Sequence, residues 1–348
     1  MRTRFHRLVV ERVEPLTDDS AAITFTVPGQ LAGVFSFAAG QTLTIRRGEA
    51  RRSYSICAPV GAPPRIGVRE VGGGAVSGWL VHELKAGDTV EVQAPSGTFT
   101  PDPDVPGQHV LIAAGSGITP MLSIAASVLA AHGASTVTLL YGNRRSDTVM
   151  FADEIADLKD AYPARACLVH VLSREPQEVE LFSGRLDAGR LRRLLAALCD
   201  VDSVDHWWLC GPFGLVTDAI EVLAGLGVPA GRVHRELFYV EDAPPEQEHH
   251  AEVPLAGGCE LTIVLDGRRT TATVQPGTPV LDSGQLARPD LPFACKGGVC
   301  GTCRALLVKG EVTMRRNYAL EREELEAGYV LTCQALPASD QITVDYDA

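Results

Sequence analysis

The chain has 348 residues, 45% hydrophobic and 21% charged, an ordinary globular composition and enough length for two or three cored domains. Its formal net charge of −12 argues against a nucleic-acid partner, which needs a basic face. Nine cysteines, with no apolar leader segment in residues 1–14, argue against a secreted disulfide framework; the expectation is a cytoplasmic protein using sulfur as ligand, reactive thiol or core residue.

In a first domain over 1–104, residues from 6 to about 100 alternate apolar and polar positions in short runs, such as 22–27, 41–45 and 89–93, between Gly and Pro. This pattern predicts an antiparallel barrel or sandwich, with one helix over 77–84. At the end of one strand stands Arg52-Ser53-Tyr54-Ser55. A tyrosine ring can stack on an isoalloxazine, an arginine can pair with a pyrophosphate, and a serine hydroxyl can reach the flavin's reactive nitrogen. Gly74-Ala75-Val76-Ser77 opens the helix, where backbone N–H groups suit a pyrophosphate. Taken alone, the tetrapeptide at 52–55 would usually be an ordinary strand.

Past the Pro-rich stretch 101–106 the texture changes to strand–helix alternation, which predicts a parallel α/β domain over 105–240. No charge occurs from Val110 to Ala131, but Gly115, Ser116, Gly117, Thr119 and Pro120 interrupt the run, so no membrane span is expected. Gly115-Ser116-Gly117-Ile118-Thr119-Pro120 joins an apolar strand to a helix and gives a dinucleotide the tight turn it needs. It lacks the third glycine of G-x-G-x-x-G, and a generic βα turn is the alternative. Ser173-Arg174 ends a later strand, where a hydroxyl and a guanidinium can hold a 2′-phosphate and so favour NADPH. A solvated surface arginine explains that pair almost as well. Cys210-Gly211-Pro212 ends another strand and brings a thiol and open backbone to the nicotinamide, or forms a simple turn.

Residues 241–258 are acidic, Pro-rich and aperiodic, the signature of a linker to a last domain at 259–348. That domain carries the strongest signal. Cys295, Cys300 and Cys303 follow C-x4-C-x2-C, and Cys333 stands apart, the spacing of a plant-type [2Fe–2S] cluster. Gly297, Gly298 and Gly301 are expected where the backbone must bend and aim N–H groups at sulfur. The competing readings are zinc, whose sites usually pair two C-x2-C units, or buried structural thiols. Cys57, Cys167, Cys199 and Cys259 are expected to have no ligand role.

The order of these motifs, with Tyr141-Gly142-Asn143-Arg144 between them, resembles the ferredoxin–NADP reductase superfamily. The resemblance implies a flavin barrel that binds FAD, followed by a nucleotide domain. It also implies Tyr141, Asn143 and Arg144 beside the nucleotide, and Glu236 and Phe238 approaching the flavin. Ser55, Cys210 and Glu236 then position the nicotinamide and move protons. The segments 293–304, 317–320 and 328–334 look like those of the reductase subunits of ring-1,2-phenylacetyl-CoA epoxidases. That implies a β-grasp ferredoxin domain and a di-iron oxygenase partner in phenylacetate degradation. One departure is that relatives often carry an arginine and an aromatic residue where this chain has Ala75 and Val76, so pyrophosphate binding rests on backbone groups and Arg52. Two alternatives stay open: a reductase serving another hydroxylase or ring dioxygenase, and a flavin/iron–sulfur redox sensor without turnover.

Overall fold

A computed structural model describes residues 4–72, 74–238, 258–320 and 322–348. The chain groups into two compact units, one from residues 6–50 and 54–239, the other from 1–5, 51–53 and 240–348.

The larger unit begins with six strands, β1 (Phe5–Thr17), β2 (Ser20–Thr26), β3 (Thr42–Arg47), β4 (Ala50–Ser55), β5 (Arg65–Arg69) and β6 (Thr89–Gln93), of which Phe5 and residues 51–53 group with the smaller unit. Their order is β4-β3-β6-β1-β2-β5. An antiparallel bridge between Ile56 and Ile66 joins the two edges and closes the sheet into a barrel. Closure leaves no open edge to template aggregation. Leu8, Phe25, Leu43, Ile45, Ile56 and Leu80 fill the barrel core. β2 departs from simple alternation because both of its faces are buried. Ile23 and Phe25 face the barrel core, while Ala22 joins the core packed under the next domain. Helix α1 spans Ala75–His82, two residues earlier than the sequence suggests, because Gly74 adopts the extended N-cap conformation.

The same unit continues as β7 (Gln108–Ala114), α2 (Ile118–Ala131), β8 (Thr136–Asn143), α3 (Ala152–Ala161), β9 (Ala166–Leu172), α4 (Ala188–Leu198), β10 (His206–Gly211), α5 (Phe213–Gly225) and β11 (Val233–Leu237). The strands form a sheet in the order β11-β10-β7-β8-β9. Every pairing is parallel. All five strands therefore present their carboxyl ends on one edge, where α/β sheets bind ligands. Asp187 caps α4 by accepting from the Arg190 backbone N–H.

The smaller unit holds β12 (Cys259–Leu265), β13 (Arg268–Val274), α6 (Val280–Ala287), β14 (Arg304–Lys309), β15 (Val312–Met314), α7 (Arg322–Glu326), β16 (Tyr329–Leu331), β17 (Ala335–Pro337) and β18 (Gln341–Asp345). Its main sheet runs β13-β12-β18-β14-β16, with β12 and β18 parallel and the other pairs antiparallel. α6 packs on β12 and β13, so the helix is held against a mixed sheet in the β-grasp manner. The linker expected at 241–258 lies, apart from Gly258, outside the described residues. Among the described residues no helix is long and apolar enough to cross a membrane.

Candidate functional site

Parallel register sets the first constellation. Cys210 on β10 lies directly beside Glu236 on β11. Ser55, at the end of β4, donates its hydroxyl to Glu236 Oε2 at 2.9 Å. Burial pushes the Glu236 carboxyl up to about 7, and the Ser55 hydroxyl opposes that rise. The Cys210 thiol is pushed well up by burial and then by the neighbouring carboxylate, so it stays protonated. The three residues expected to act together are therefore brought together. Phe238 lies just beyond and packs, half-buried, against the core that contains Cys210.

The Gly115–Gly117 turn faces the same strand end. A Cβ on Gly117 would stand 2.2 Å from the Cys210 carbonyl oxygen, so only glycine lets the two backbones approach this closely. The Tyr141 hydroxyl donates to the Gly115 carbonyl at 2.9 Å, and the Thr119 hydroxyl donates to the Ser116 carbonyl at 3.0 Å. Pro120 sits in the first turn of α2, which has no side-chain cap and no acidic residue there. That helix end offers N–H groups to an anion. Asn143 is 8% exposed, its side-chain amide interacts with the Tyr141 side chain, and among the described residues that amide forms no other hydrogen bond. Buried amides are rarely left so, and a bound nucleotide would satisfy this one. Ser173 and Arg174 extend the β8–β9 pairing, with N–H groups donating to the carbonyls of Asn143 and Arg144. This puts the exposed side chains of Arg144 and Arg174 on neighbouring strand ends.

At the flavin motifs, Tyr54 packs half-buried against the barrel core. Arg52 and Ser53 group with the smaller unit. The Arg52 guanidinium donates to the Arg51 carbonyl, and the Ser53 hydroxyl lies 3.4 Å from that of Thr302. The Ser77 hydroxyl is engaged in the turn ahead of α1, accepting from Val71 N–H and donating to the Gly74 carbonyl. A Cβ on Gly74 would fall 2.5 Å from Ser77 Oγ and 2.8 Å from the Val71 carbonyl oxygen, so this turn too needs glycine. Val76 is buried in the barrel core, which leaves the uncapped first turn of α1 to meet an anion through its backbone.

In the smaller unit the four ligand candidates come as two pairs. The Cys295 side chain interacts with that of Cys300, and Cys303 with Cys333. In each pair one thiol is pulled down and its partner pushed up, as two thiols sharing a proton behave. Among the described residues no three metal-ligating side chains converge on a single ion. Two protein thiolates per iron is the donor set of a binuclear cluster. The N–H groups of Gly297 and Cys300 donate to Cys295 Sγ at 3.3 and 3.4 Å. The residues present fit the [2Fe–2S] group. One expectation is corrected. The left-handed residues of the loop are Lys296 (φ 53°), Gly298 (φ 77°) and Gly301 (φ 64°), so Lys296 and not Gly297 carries the first bend. Of the two N–H groups on Cys295 Sγ, that of Gly297 belongs to the residue after this bend.

Several residues went unread in the sequence. The Gln334 amide reaches both the Lys296 carbonyl and Cys333 Sγ. The Thr332 hydroxyl donates to the Cys303 carbonyl and accepts from Tyr346. The Tyr318 N–H donates to the Gly298 carbonyl. Only the tertiary fold brings these groups to the loop. In the larger unit a cleft of about 450 Å³, lined by Thr24, Cys57, Arg65, Leu122 and Glu154 among others, touches none of the residues above.

Comparison with known proteins accords with this geometry. Residues 7–100 match a family model described as an oxidoreductase FAD-binding domain. Residues 111–221 match an oxidoreductase NAD-binding domain, and 263–338 a 2Fe-2S iron-sulfur cluster binding domain. The chain is 40% identical to a subunit of the 1,2-phenylacetyl-CoA epoxidase of Escherichia coli, over 99% of each chain. It is 31% identical to the ferredoxin reductase component of 3-ketosteroid-9-alpha-monooxygenase of Rhodococcus rhodochrous, covering 97% of this chain and 96% of that one. Among solved structures, phthalate dioxygenase reductase matches with a TM-score of 0.60 at 24% identity, over 98% of both chains.

Proposed function

The chain belongs to the family of that 1,2-phenylacetyl-CoA epoxidase subunit, and from that premise we propose that it delivers electrons from NADPH to the di-iron oxygenase component of a phenylacetyl-CoA epoxidase. It is an oxidoreductase with FAD, NAD(P) and [2Fe–2S] domains. When bound, a nicotinamide supplies two electrons as hydride, a flavin accepts two and releases one at a time, and a [2Fe–2S] cluster accepts one.

The chain's own residues bind, orient and move protons. Residues 1–104 form the flavin domain in this reading, 105–240 the nucleotide domain, 241–258 a linker and 259–348 the ferredoxin domain. Arg52, Ser53, Tyr54, Gly74, Val76 and Ser77 hold the FAD. The turn Gly115–Pro120 and the end Cys210–Pro212 seat the dinucleotide, with Cys210–Pro212 at the nicotinamide and Tyr141, Asn143 and Arg144 beside the nucleotide. Arg144, Ser173 and Arg174 meet the 2′-phosphate. Glu236, balanced near neutrality, holds or releases a proton at Oε2 and passes it through the Ser55 hydroxyl. Cys295, Cys300, Cys303 and Cys333 ligate the cluster. The protein works in the cytoplasm.

The observation that carries the choice of partner is the 40% identity sustained over 99% of both chains, flavin, nucleotide and cluster segments together. Reconstitution tests it. The purified protein, NADPH and a phenylacetyl-CoA epoxidase oxygenase should consume phenylacetyl-CoA in step with NADPH. Brisk electron transfer only to a steroid hydroxylase or ring dioxygenase would reassign the partner. Bound cofactors with no NADPH turnover at any acceptor would favour a sensor.

A further inference from the structure

We propose that Gln334 sets the reduction potential of the [2Fe–2S] centre by donating a side-chain N–H to the sulfur of Cys333, an inference that rests on the cluster reading above. Gln334 directly follows the fourth ligand and is 4% exposed, so its amide must find partners inside the protein. It finds two. Nε2 lies 2.9 Å from the Lys296 carbonyl oxygen and 3.5 Å from Cys333 Sγ, one acceptor for each of its protons.

The surroundings are built for this side chain. A Cβ on Gly298 would stand 3.1 Å from Gln334 Cγ, so the glycine clears its path. Lys296 offers its carbonyl from a left-handed conformation, φ 53°. The Gln334 backbone is pinned on both sides, its N–H donating to Leu331 and its carbonyl accepting from Arg315 at 3.0 Å. The amide thus clasps the ligand loop to the strand end carrying the distant fourth cysteine.

The physical consequence concerns charge. Reduction adds one negative charge to the centre, and part of it falls on the ligand sulfurs. A buried N–H dipole aimed at one of them favours the reduced form, more strongly in a low-dielectric site than in water. Gln334 is therefore a positioning residue that also biases the electron equilibrium. Its donor comes from a side chain, so a single substitution can remove it, unlike the main-chain N–H groups facing Cys295.

The test is Gln334→Met, which keeps side-chain length but has no N–H. Iron and sulfide content establishes first whether wild type and variant hold the cluster, and an iron-free wild type overturns the cluster reading instead. With the cluster present, redox titration followed by visible and EPR spectra should show the reduced-to-oxidised ratio of the variant at fixed potential lowered roughly three- to tenfold. That corresponds to a midpoint lower by about 30 to 60 mV at 59 mV per decade for one electron. An unchanged or higher midpoint overturns the proposal. Should the variant lose its cluster, pulsed EPR of reduced wild type labelled with 15N in glutamine side-chain amides decides. A 15N coupling to the centre is expected, and its absence overturns the proposal.

Discussion

Ser55 and Glu236 stand 181 residues apart in the chain and meet through a 2.9 Å hydrogen bond. One ends a barrel strand and the other lies on the edge strand of the parallel sheet. The bond therefore ties the flavin barrel to the nucleotide sheet at the point where Cys210 also arrives.

That pair makes both stability and activity depend on pH. The Glu236 carboxyl rises from 4.5 to about 7 on folding, so between those values the folded chain holds a proton that the unfolded chain has released. Stability from this group is full below pH 4.5 and lost as pH rises through 7. Glu236→Gln should be more stable than wild type above pH 7, by roughly 1 to 3 kcal/mol. It should also lower NADPH-driven electron delivery on the order of a hundredfold and erase an inflection near pH 7. Urea unfolding and steady-state rates from pH 5.5 to 8.5 check both.

The acid limb of stability should come from the histidines of the sheet. His109 is 2% exposed and accepts from Trp208 Nε1 at 3.2 Å. Burial, then the neighbouring His206, lowers its value from 6.5 to about 4, while Asp205 opposes and His234 assists. His234 is lowered to about 4 as well, by burial and His206. Between pH 6.5 and 4 the unfolded chain binds protons that the folded one refuses, so stability falls as pH drops through that window. His109 alone should contribute a loss of roughly 3 kcal/mol by pH 4. His109→Gln keeps an acceptor for Trp208 and should flatten this limb in urea titrations at stepped pH. An unchanged acid limb would place the sensitivity elsewhere.

Cys300→Ser should abolish the cluster and spare flavin reduction by NADPH. The four cysteines lie in the smaller unit, whereas Ser55, Cys210 and Glu236 lie in the larger. Wild type should carry one flavin and two irons per chain, and the variant the flavin alone. Metal analysis and anaerobic stopped-flow spectra read both, and zinc in wild type would sink the cluster assignment.

Arg174→Ala should cost NADPH roughly ten- to a hundredfold in binding, the worth of charge-assisted bonds to a phosphate, and cost NADH little. Arg144 shares that strand end through its carbonyl, which accepts from Arg174 N–H at 2.8 Å. Arg144→Ala should therefore act in the same direction. Kinetics with both dinucleotides on both variants test this. Equal losses for the two cofactors would make these guanidiniums plain surface charges.

What could be read in the sequence was local. Strand–helix alternation from 105 onward, the glycine turn at 115–117 and the C-x4-C-x2-C spacing all concern neighbours along the chain. What escaped depends on contacts across the fold. His109, His206, Trp208 and His234 gather because parallel register sets His109 beside His206 and Trp208 beside His234. Gln334 has no local signature, since its partner Lys296 is 38 residues away. α6 also escaped, because Val280–Ala287 makes barely two turns and is helical through packing on β12 and β13 more than through propensity. Lys296 in place of Gly297 at the first bend shows the limit of reading backbone conformation from glycine positions alone.

The pairing of the ligand thiols carries a consequence in time. Cys295 and Cys300 share one short loop, so half of the donor set exists as soon as that stretch has left the ribosome. Cys303 meets Cys333 only when β14 has paired with β16 and the Thr332 N–H has found the Cys303 carbonyl at 3.2 Å. The 33 residues from 301 to 333 must be synthesised and folded between the two events. The second thiol pair therefore depends on strands near the end of the chain. A chain stalled before residue 333 would hold Cys295 and Cys300 as a pair but leave Cys303 without the thiol it meets in the folded protein.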